Sequence, residues 1–368
     1  MSARLAIPVN DLCRGLNDDD ELAAAVGRVT RSGWYLLGEE TAAFESELAD
    51  YLGVSHAVAV ANGSDALELA FSALGGGPGQ EIVTVANAGG YGMLAARRRG
   101  MRVRFADVED RDLLASPRTI EKALTPRTSM VLVTHLYGKM APITSICDLC
   151  HSKGIAVVED CAQAAGAHID GRYAGSVGDA GAFSFYPTKN LGAIGDGGAV
   201  VTSDEEIAAR VRRLRQYGWG EKYRVEEDGG RNSRLDELQA AVLRVRLPRL
   251  DERNQRRRAI ARSYASALSL SPVGIAQEGG TDYVAHLAVI RASQRAPFAQ
   301  GLDARGVSTA IHYPIADHRQ TIIGAPMVSL PVTEAACGEV LTLPCFPELE
   351  DEEIEAVCAA LQEVAEAL

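Results

Sequence analysis

The sequence predicts an α/β protein: a mostly parallel central sheet covered by helices in a large first domain, then a smaller α+β domain. Three observations predict it. From His56 to Asp160, short apolar runs alternate with helical patterns. A glycine-bearing loop region follows around Lys189. Beyond a long helical stretch ending near Leu250, strands and helices become short and irregular, which sets the division at residues 1–250 and 251–368.

The elements follow in order. Asp18-Asp19-Asp20-Glu21 ahead of Leu22, Ala25 and Val26 reads as an acidic helix start, closed by Ser32-Gly33-Trp34-Tyr35. Glu39–Leu52 carries Phe44, Leu48 and Leu52 at helical spacing. The apolar run His56–Val60 leads through Asn62-Gly63-Ser64-Asp65 into a helix from Ala66 to about Leu74. Free N–H groups at that helix start suit an anion such as phosphate; simple capping by Ser64 or Asp65 is the competing reading. Strands are expected at 82–86, 102–106, 130–134 and 156–159, and helices at 91–99, 116–123 and 143–153. Ligands of such sheets sit outside the carboxyl ends of the strands, where Asp160 and His135 fall.

Asn232–Leu250 reads as one helix that Pro248 kinks or ends. The basic run Arg253–Arg258, interleaved with acidic neighbours, is expected to be a solvated helix face. Further strands are expected at 285–291 and 308–312, and helices at 297–305 and 352–367.

Charge and composition narrow the function. A net charge of −12 argues against a general nucleic-acid binder, so an anionic ligand needs a local positive site. No window is long and apolar enough to cross a membrane, and Met1–Asn10 lacks the apolar run of a secretory signal. Seven scattered cysteines suit a reducing cytoplasm. Cys147-x-x-Cys150-His151 has the spacing of covalent haem attachment, but it lies on a predicted helix without an export signal. No haem or metal is expected.

The chemistry centres on Phe183-Ser184-Phe185-Tyr186-Pro187-Thr188-Lys189-Asn190 and the glycine run after it. On charge statistics Lys189 reads as a surface lysine. Its partners favour another reading. A lysine packed among rings loses hydration and becomes a nucleophilic amine able to form a Schiff base. A strand-end aspartate can hold a pyridine nitrogen protonated, and a helix N-terminus can hold a phosphate; together they are what pyridoxal phosphate requires.

Glu159-Asp160-Cys161-Ala162-Gln163, Phe183-Ser184-Phe185 with Lys189-Asn190, Gly230-Arg231-Asn232-Ser233-Arg234, Asn62-Gly63-Ser64-Asp65 and His312-Tyr313-Pro314 stand in one order. In these segments the chain resembles the sugar nucleotide aminotransferases of the DegT type, from Trp34 to the last helix. The resemblance implies the aspartate aminotransferase-like fold (fold type I of pyridoxal phosphate enzymes), working as a homodimer with shared active sites. It implies that Lys189 holds the cofactor and moves the proton, that Asp160 meets the pyridine nitrogen, and that Gln163 meets the ring hydroxyl. Gly63, Ser64 and Ser184 would hold the phosphate, with Asn232 arriving from the partner subunit. Tyr35, Asn190, His312 and Tyr313 would line the sugar pocket. The family usually places an aromatic or histidine over the cofactor ring after a strand; here the aligned residue is Gly89, which leaves Tyr91 or Asn87 as candidates.

The expected activity is transfer of an amine from L-glutamate to a keto group on a nucleotide-linked deoxyhexose, with dTDP as the nucleotide. The rivals are an aminotransferase for a free cyclitol ketone and a non-catalytic regulator that binds the cofactor. Arg231 and Arg234 are expected to supply positive charge for phosphate and the nucleotide.

Overall fold

The computed structural model describes residues 6–14, 20–324 and 328–368. Asp18 and Asp19 of the expected helix start, and Met1–Leu5, lie outside them.

The first half lays down β1 (His56–Val60), β2 (Glu81–Val85), β3 (Arg102–Ala106), β4 (Thr128–Thr134) and β5 (Ala156–Asp160). A small hairpin, β6 (His168–Ile169) and β7 (Arg172–Tyr173), precedes β8 (Ala180–Ser184) and β9 (Gly198–Thr202). The seven long strands form one sheet in the order β1-β9-β8-β5-β4-β2-β3. Neighbours are parallel except that β9 runs against both β1 and β8.

Helices α1 (Asp20–Ser32), α2 (Glu39–Leu52), α3 (Gly63–Ala73), α4 (Tyr91–Arg98), α5 (Pro117–Ala123), α6 (Ile143–His151), α7 (Glu205–Leu214) and α8 (Glu237–Arg246) accompany it. Apart from the edge strand β3, where Arg102 and Arg104 are exposed, the strands of this sheet are largely apolar on both faces because both faces are covered. Val83, Val131 and Val157 join Phe44, Leu48, Phe183 and Leu243 on one side. Their neighbours Ile82, Leu132 and Val158 join Leu69, Phe71, Val211 and Leu214 on the other. Each such buried side chain contributes roughly 1.5–3 kcal/mol relative to exposure.

A projecting hairpin, β10 (Trp219–Glu221) and β11 (Arg224–Val225), precedes α8. After α9 (Leu250–Ala267), the strands β12 (Gly274–Ile275), β13 (Ala288–Arg291) and β14 (Val340–Leu343) make an antiparallel sheet. With α10 (Arg295–Asp303), α11 (Pro331–Glu339) and α12 (Asp351–Ala367) come further apolar contacts among Ile260, Tyr264, Phe298, Leu302, Leu343 and Leu361. Ile7 packs into this same cluster and its N–H donates to Gly306 O at 2.8 Å.

Four expectations change. The helix after β1 begins at Gly63, and its cap is Asn62, whose side chain accepts from the Asp65 N–H at 2.9 Å. Asn232–Asp236 is extended and the helix starts at Glu237, because Arg231 N and Ser233 N donate to Leu214 O and Arg215 O instead. Residues 308–312 form a single bridge, Ala310 to Thr342, in place of a strand. The basic run on α9 is an interface rather than a solvated face: Arg253 pairs with Glu348 at 2.6 Å, and Arg257 is buried with its guanidinium on Cys345 O.

Candidate active site

A cavity of about 650 Å³ opens beyond the carboxyl ends of β4 and β5. Asp160, Gln163, Ser184, Lys189, Gly63, Ser64, His312 and Tyr313 line it. These eight come from four separate stretches of the sequence.

At one end lies the start of α3. The Asp65 N–H goes to the Asn62 side chain and the Ala66 N–H to Asn62 O, at 2.9 and 3.0 Å. Among the described residues the N–H groups of Gly63 and Ser64 have no acceptor, as the first turn of a helix dictates. A Cβ on Gly63 would come 2.6 Å from Ser184 Cβ, so glycine is what lets the helix start lie against the end of β8. Two free donors beside a serine hydroxyl make a cradle for a small anion.

Lys189 lies on the loop after β8, where its N–H donates to Tyr186 O at 2.8 Å. Burial pushes its amine down to about 8, against the pull of the Asp160 carboxylate. Asp160 ends β5 and accepts from the Ala162 N–H at 3.1 Å. Burial raises its pKa, while the Ala162 N–H, Lys189 and His135 oppose the rise. Gln163 is locked: its Oε1 accepts from Tyr137 N at 2.6 Å and its Nε2 donates to Tyr313 Oη at 3.1 Å.

Behind Asp160 sits a buried hydrogen-bond network around the Glu159 carboxylate. His135 Nδ1 accepts from the Ala141 N–H at 3.1 Å, which leaves Nε2 to donate to Glu159 at 2.8 Å. The carboxylate also accepts from Gly175, Val177 and Gly178 N–H groups at 3.0, 2.8 and 2.7 Å. Cys161 completes a trio whose ligand atoms lie within 4.8 Å of one another. Both His135 nitrogens and both Glu159 oxygens are occupied by protein partners, so this is a structural cluster.

Other expectations fall elsewhere. Asn190 does not line the cavity; it is buried behind it, bonded to Asn254, Val284 O and His286. Tyr35 is half exposed and Asn232 exposed, and neither reaches the cavity of its own chain. The Arg231 charge is taken by Asp65 and Glu68 on α3, correcting its expected role on a ligand. Arg234 instead lines a hollow of the projecting hairpin with Tyr217, Trp219 and Tyr223. Tyr91 lines the cavity, whereas Asn87 is buried and donates to Leu113 O. His151 of the Cys-x-x-Cys-His segment pairs with Asp179 at 3.1 Å, and Cys147 and Cys150 are buried.

Sequence reasoning missed His286, Thr134 and the Val9-Asn10 stretch, all of which line the cavity. Thr134 faces Asp160 across the β4–β5 pair, and its buried hydroxyl has no partner. A lone histidine and a strand-end threonine carry no motif. Val9 and Asn10 belong to a segment without periodicity, held in place where Cys345 N donates to Val9 O at 3.4 Å.

A lysine amine whose pKa is lowered to about 8, beside a buried carboxylate, is far readier than an ordinary lysine to bind a carbonyl, and the anion cradle lines the same cavity. Fold and site together define a pyridoxal phosphate-dependent aminotransferase of fold type I. The chain belongs to the DegT/DnrJ/EryC1/StrS aminotransferase family, whose pattern matches residues 17–362. It is 42% identical over 353 residues to a dTDP-3-amino-3,4,6-trideoxy-alpha-D-glucose transaminase of Micromonospora megalomicea subsp. nigra, covering 94% of each chain. A Streptomyces venezuelae transaminase of the same description is 45% identical over 352 residues, 94% of this chain and 92% of that one. In structure the chain is similar to S. venezuelae DesV in complex with a ketimine intermediate, with TM-score 0.96, 42% identity and coverage of 99% and 100%. It is also similar to Bacillus subtilis NtdA with bound cofactor PMP, with TM-score 0.92, 29% identity and coverage of 99% and 86%. No helix among the described residues is long and apolar enough to cross a membrane.

Proposed function

We propose that this enzyme transfers the amine of L-glutamate to the C3 keto group of a dTDP-linked deoxyhexose, releasing the 3-amino sugar nucleotide and 2-oxoglutarate. The observation that carries the reading is the Lys189 amine, held near pKa 8 in a cavity with Asp160 in a chain of this family. The C3 position rests on the relatives that share 42–45% of its sequence. A regulator without turnover has no need of a depressed lysine.

Pyridoxal phosphate, when bound, supplies an aldehyde for the amine and a ring that takes up electrons. Lys189 would hold that aldehyde, then carry the proton from the donor Cα and return it to the sugar carbon. Asp160 would keep the ring nitrogen protonated, and Gln163 would donate to the ring hydroxyl. The N–H groups of Gly63 and Ser64 and the Ser184 hydroxyl would hold the phosphate. His312 and Tyr313 would border the sugar. Tyr35 and Asn232, on the surface of their own chain, would serve the partner's site in a homodimer, in the cytoplasm. We divide the chain at residue 250, within reach of α9, whose Leu250 joins the sheet core and whose Ile260 joins the smaller one.

The test is a direct assay of the purified protein with pyridoxal phosphate, L-glutamate and either a dTDP-3-keto deoxyhexose or a free cyclitol ketone. Formation of 2-oxoglutarate with the nucleotide sugar is expected. Faster turnover on the free cyclitol would overturn the choice of substrate, and no turnover on any ketone would overturn the enzyme reading.

A further inference from the structure

The loop from β2 to α4, Ala86-Asn87-Ala88-Gly89-Gly90, offers the cavity no ring of its own before Tyr91. Gly89 and Gly90 both adopt positive φ, 74° and 83°, a conformation that side chains resist. A Cβ on Gly89 would meet three neighbouring carbons of the Tyr313 ring, Cε1 at 2.8 Å, Cζ at 2.9 Å and Cδ1 at 3.0 Å. The ring thus fills the space that a side chain at position 89 would need. Backbone and neighbour exclude such a side chain independently.

The ring is held from several sides. Gln163 Nε2 donates to its hydroxyl at 3.1 Å. The Tyr91 ring meets it edge-on, with centroids 6.2 Å apart. Tyr137, whose own N–H goes to Gln163, donates its hydroxyl to His312 O. The chain just beyond is fastened to the same loop, since Asp317 N donates to Ala86 O at 2.7 Å and the Asp317 carboxylate faces the Gly90 N–H. The segment 312–317 and the β2–α4 loop therefore form one wall of the cavity. Tyr313 is the ring in that wall set between Gln163 and Gly89, whereas Tyr91 is half exposed at its margin.

We propose that Tyr313 is the aromatic face against which the pyridoxal phosphate ring packs, and that position 89 is glycine to admit it. The proposal rests on the cofactor reading given above. It reassigns Tyr313 from bordering the sugar to holding the cofactor, and it takes that role from Tyr91 and Asn87. Aromatic pairs gain from contact geometry beyond buried area, so losing the ring should be felt in cofactor affinity and in the optical signature of the bound chromophore.

The experiment measures pyridoxal phosphate binding to apoprotein by fluorescence quenching, with the visible circular dichroism of the complex as second readout. Tyr313→Phe should bind within threefold of wild type, and so should Tyr91→Ala. Tyr313→Leu, which keeps bulk without a ring, should bind at least tenfold more weakly and lose most of the dichroic band. Gly89→Phe should weaken binding at least tenfold, because the added side chain displaces the Tyr313 ring and strains the loop. Wild-type affinity and dichroism in Tyr313→Leu, or the loss appearing in Tyr91→Ala instead, would overturn the proposal while leaving the cofactor reading intact. Failure of the wild type itself to bind pyridoxal phosphate would overturn both.

Discussion

His286 Nδ1 and Asn190 Oδ1 lie 2.9 Å apart, and this contact joins the residue after Lys189 to the strand region of the smaller sheet. Its polarity follows from the rest of the network. Asn254 Nδ2 donates to Ala165 O at 2.9 Å, so Asn254 Oδ1 is the acceptor for Asn190 Nδ2 at 2.7 Å. Asn190 Nδ2 also donates to Val284 O at 3.0 Å, which leaves its Oδ1 to accept. The hydrogen must then be on His286 Nδ1, and Nε2 keeps its lone pair at the wall of the cavity.

Asn190→Ala should release that tautomer and leave buried groups unpaired, costing about 2 kcal/mol. Imidazole ¹⁵N spectra should show a mixture of His286 tautomers in the variant and one in the wild type. A single unchanged tautomer in both would count against the network.

Burial, with Lys189, Arg257 and His312 nearby, pushes the His286 pKa well below its usual value. The unfolded chain then binds a proton near pH 6.5 that the folded protein does not. Stability from this group is full above about pH 6.5 and falls as the pH drops below it. Denaturant titrations between pH 7 and 5 should show a steeper acid loss for the wild type than for His286→Gln.

Lys189 should react with an amine-directed reagent along a pH curve half-complete near 8, since burial sets that value. Asp160 attracts the ammonium form, so Asp160→Asn should move the curve lower. A midpoint near 10.5 in the apoprotein would mean that the amine is exposed.

Glu159→Gln should destabilise the fold by about 3 kcal/mol, because the new amide cannot accept from His135 and three backbone N–H groups together. Burial alone would raise the Glu159 pKa, yet His135 and the backbone donors bring it below the usual carboxylate value. Its contribution is therefore present at neutral pH and lost as the pH falls below about 4.3. The gap between the thermal melts of the two proteins should be smaller at pH 4 than at pH 7.

A shared site makes a prediction about mixtures. Lys189→Ala and Asn232→Ala proteins, unfolded together and refolded, should recover about a quarter of wild-type activity by random pairing in an isologous dimer. A mixture that stays as inactive as its components would leave Asn232 without a role across the interface.

Much of the fold was legible because strands covered on both faces read as largely apolar runs, such as Ala156–Asp160, and the limits of β1 and β3 were read as observed. The lysine, the aspartate and the cradle were legible because each sits where a strand ends. What local sequence could not show depends on distant partners. The Asn232–Asp236 stretch has helical spacing, but hydrogen bonds to residues 214–215 hold it extended. Arg257 sits in a basic run, and only the returning chain at Cys345 explains its burial. The Gly89 departure was visible in the sequence; the ring that answers it lies more than two hundred residues away and needed the fold.

The sheet order carries a consequence for how the chain is made. β1 lies at the edge and pairs only with β9, so His56 waits for Thr202. The turn that begins α3 follows directly from β1, and Gly198 on β9 presses so near Asn62 that a Cβ there would come within 2.5 Å of its carbonyl. A ribosome that has released only the first half of the protein has therefore emitted an edge strand without a neighbour. The turn at Gly63 and Ser64 is among the first parts to be synthesised, yet the strand before it finds its neighbour only after β9 has emerged, and until then β1 is an open strand edge.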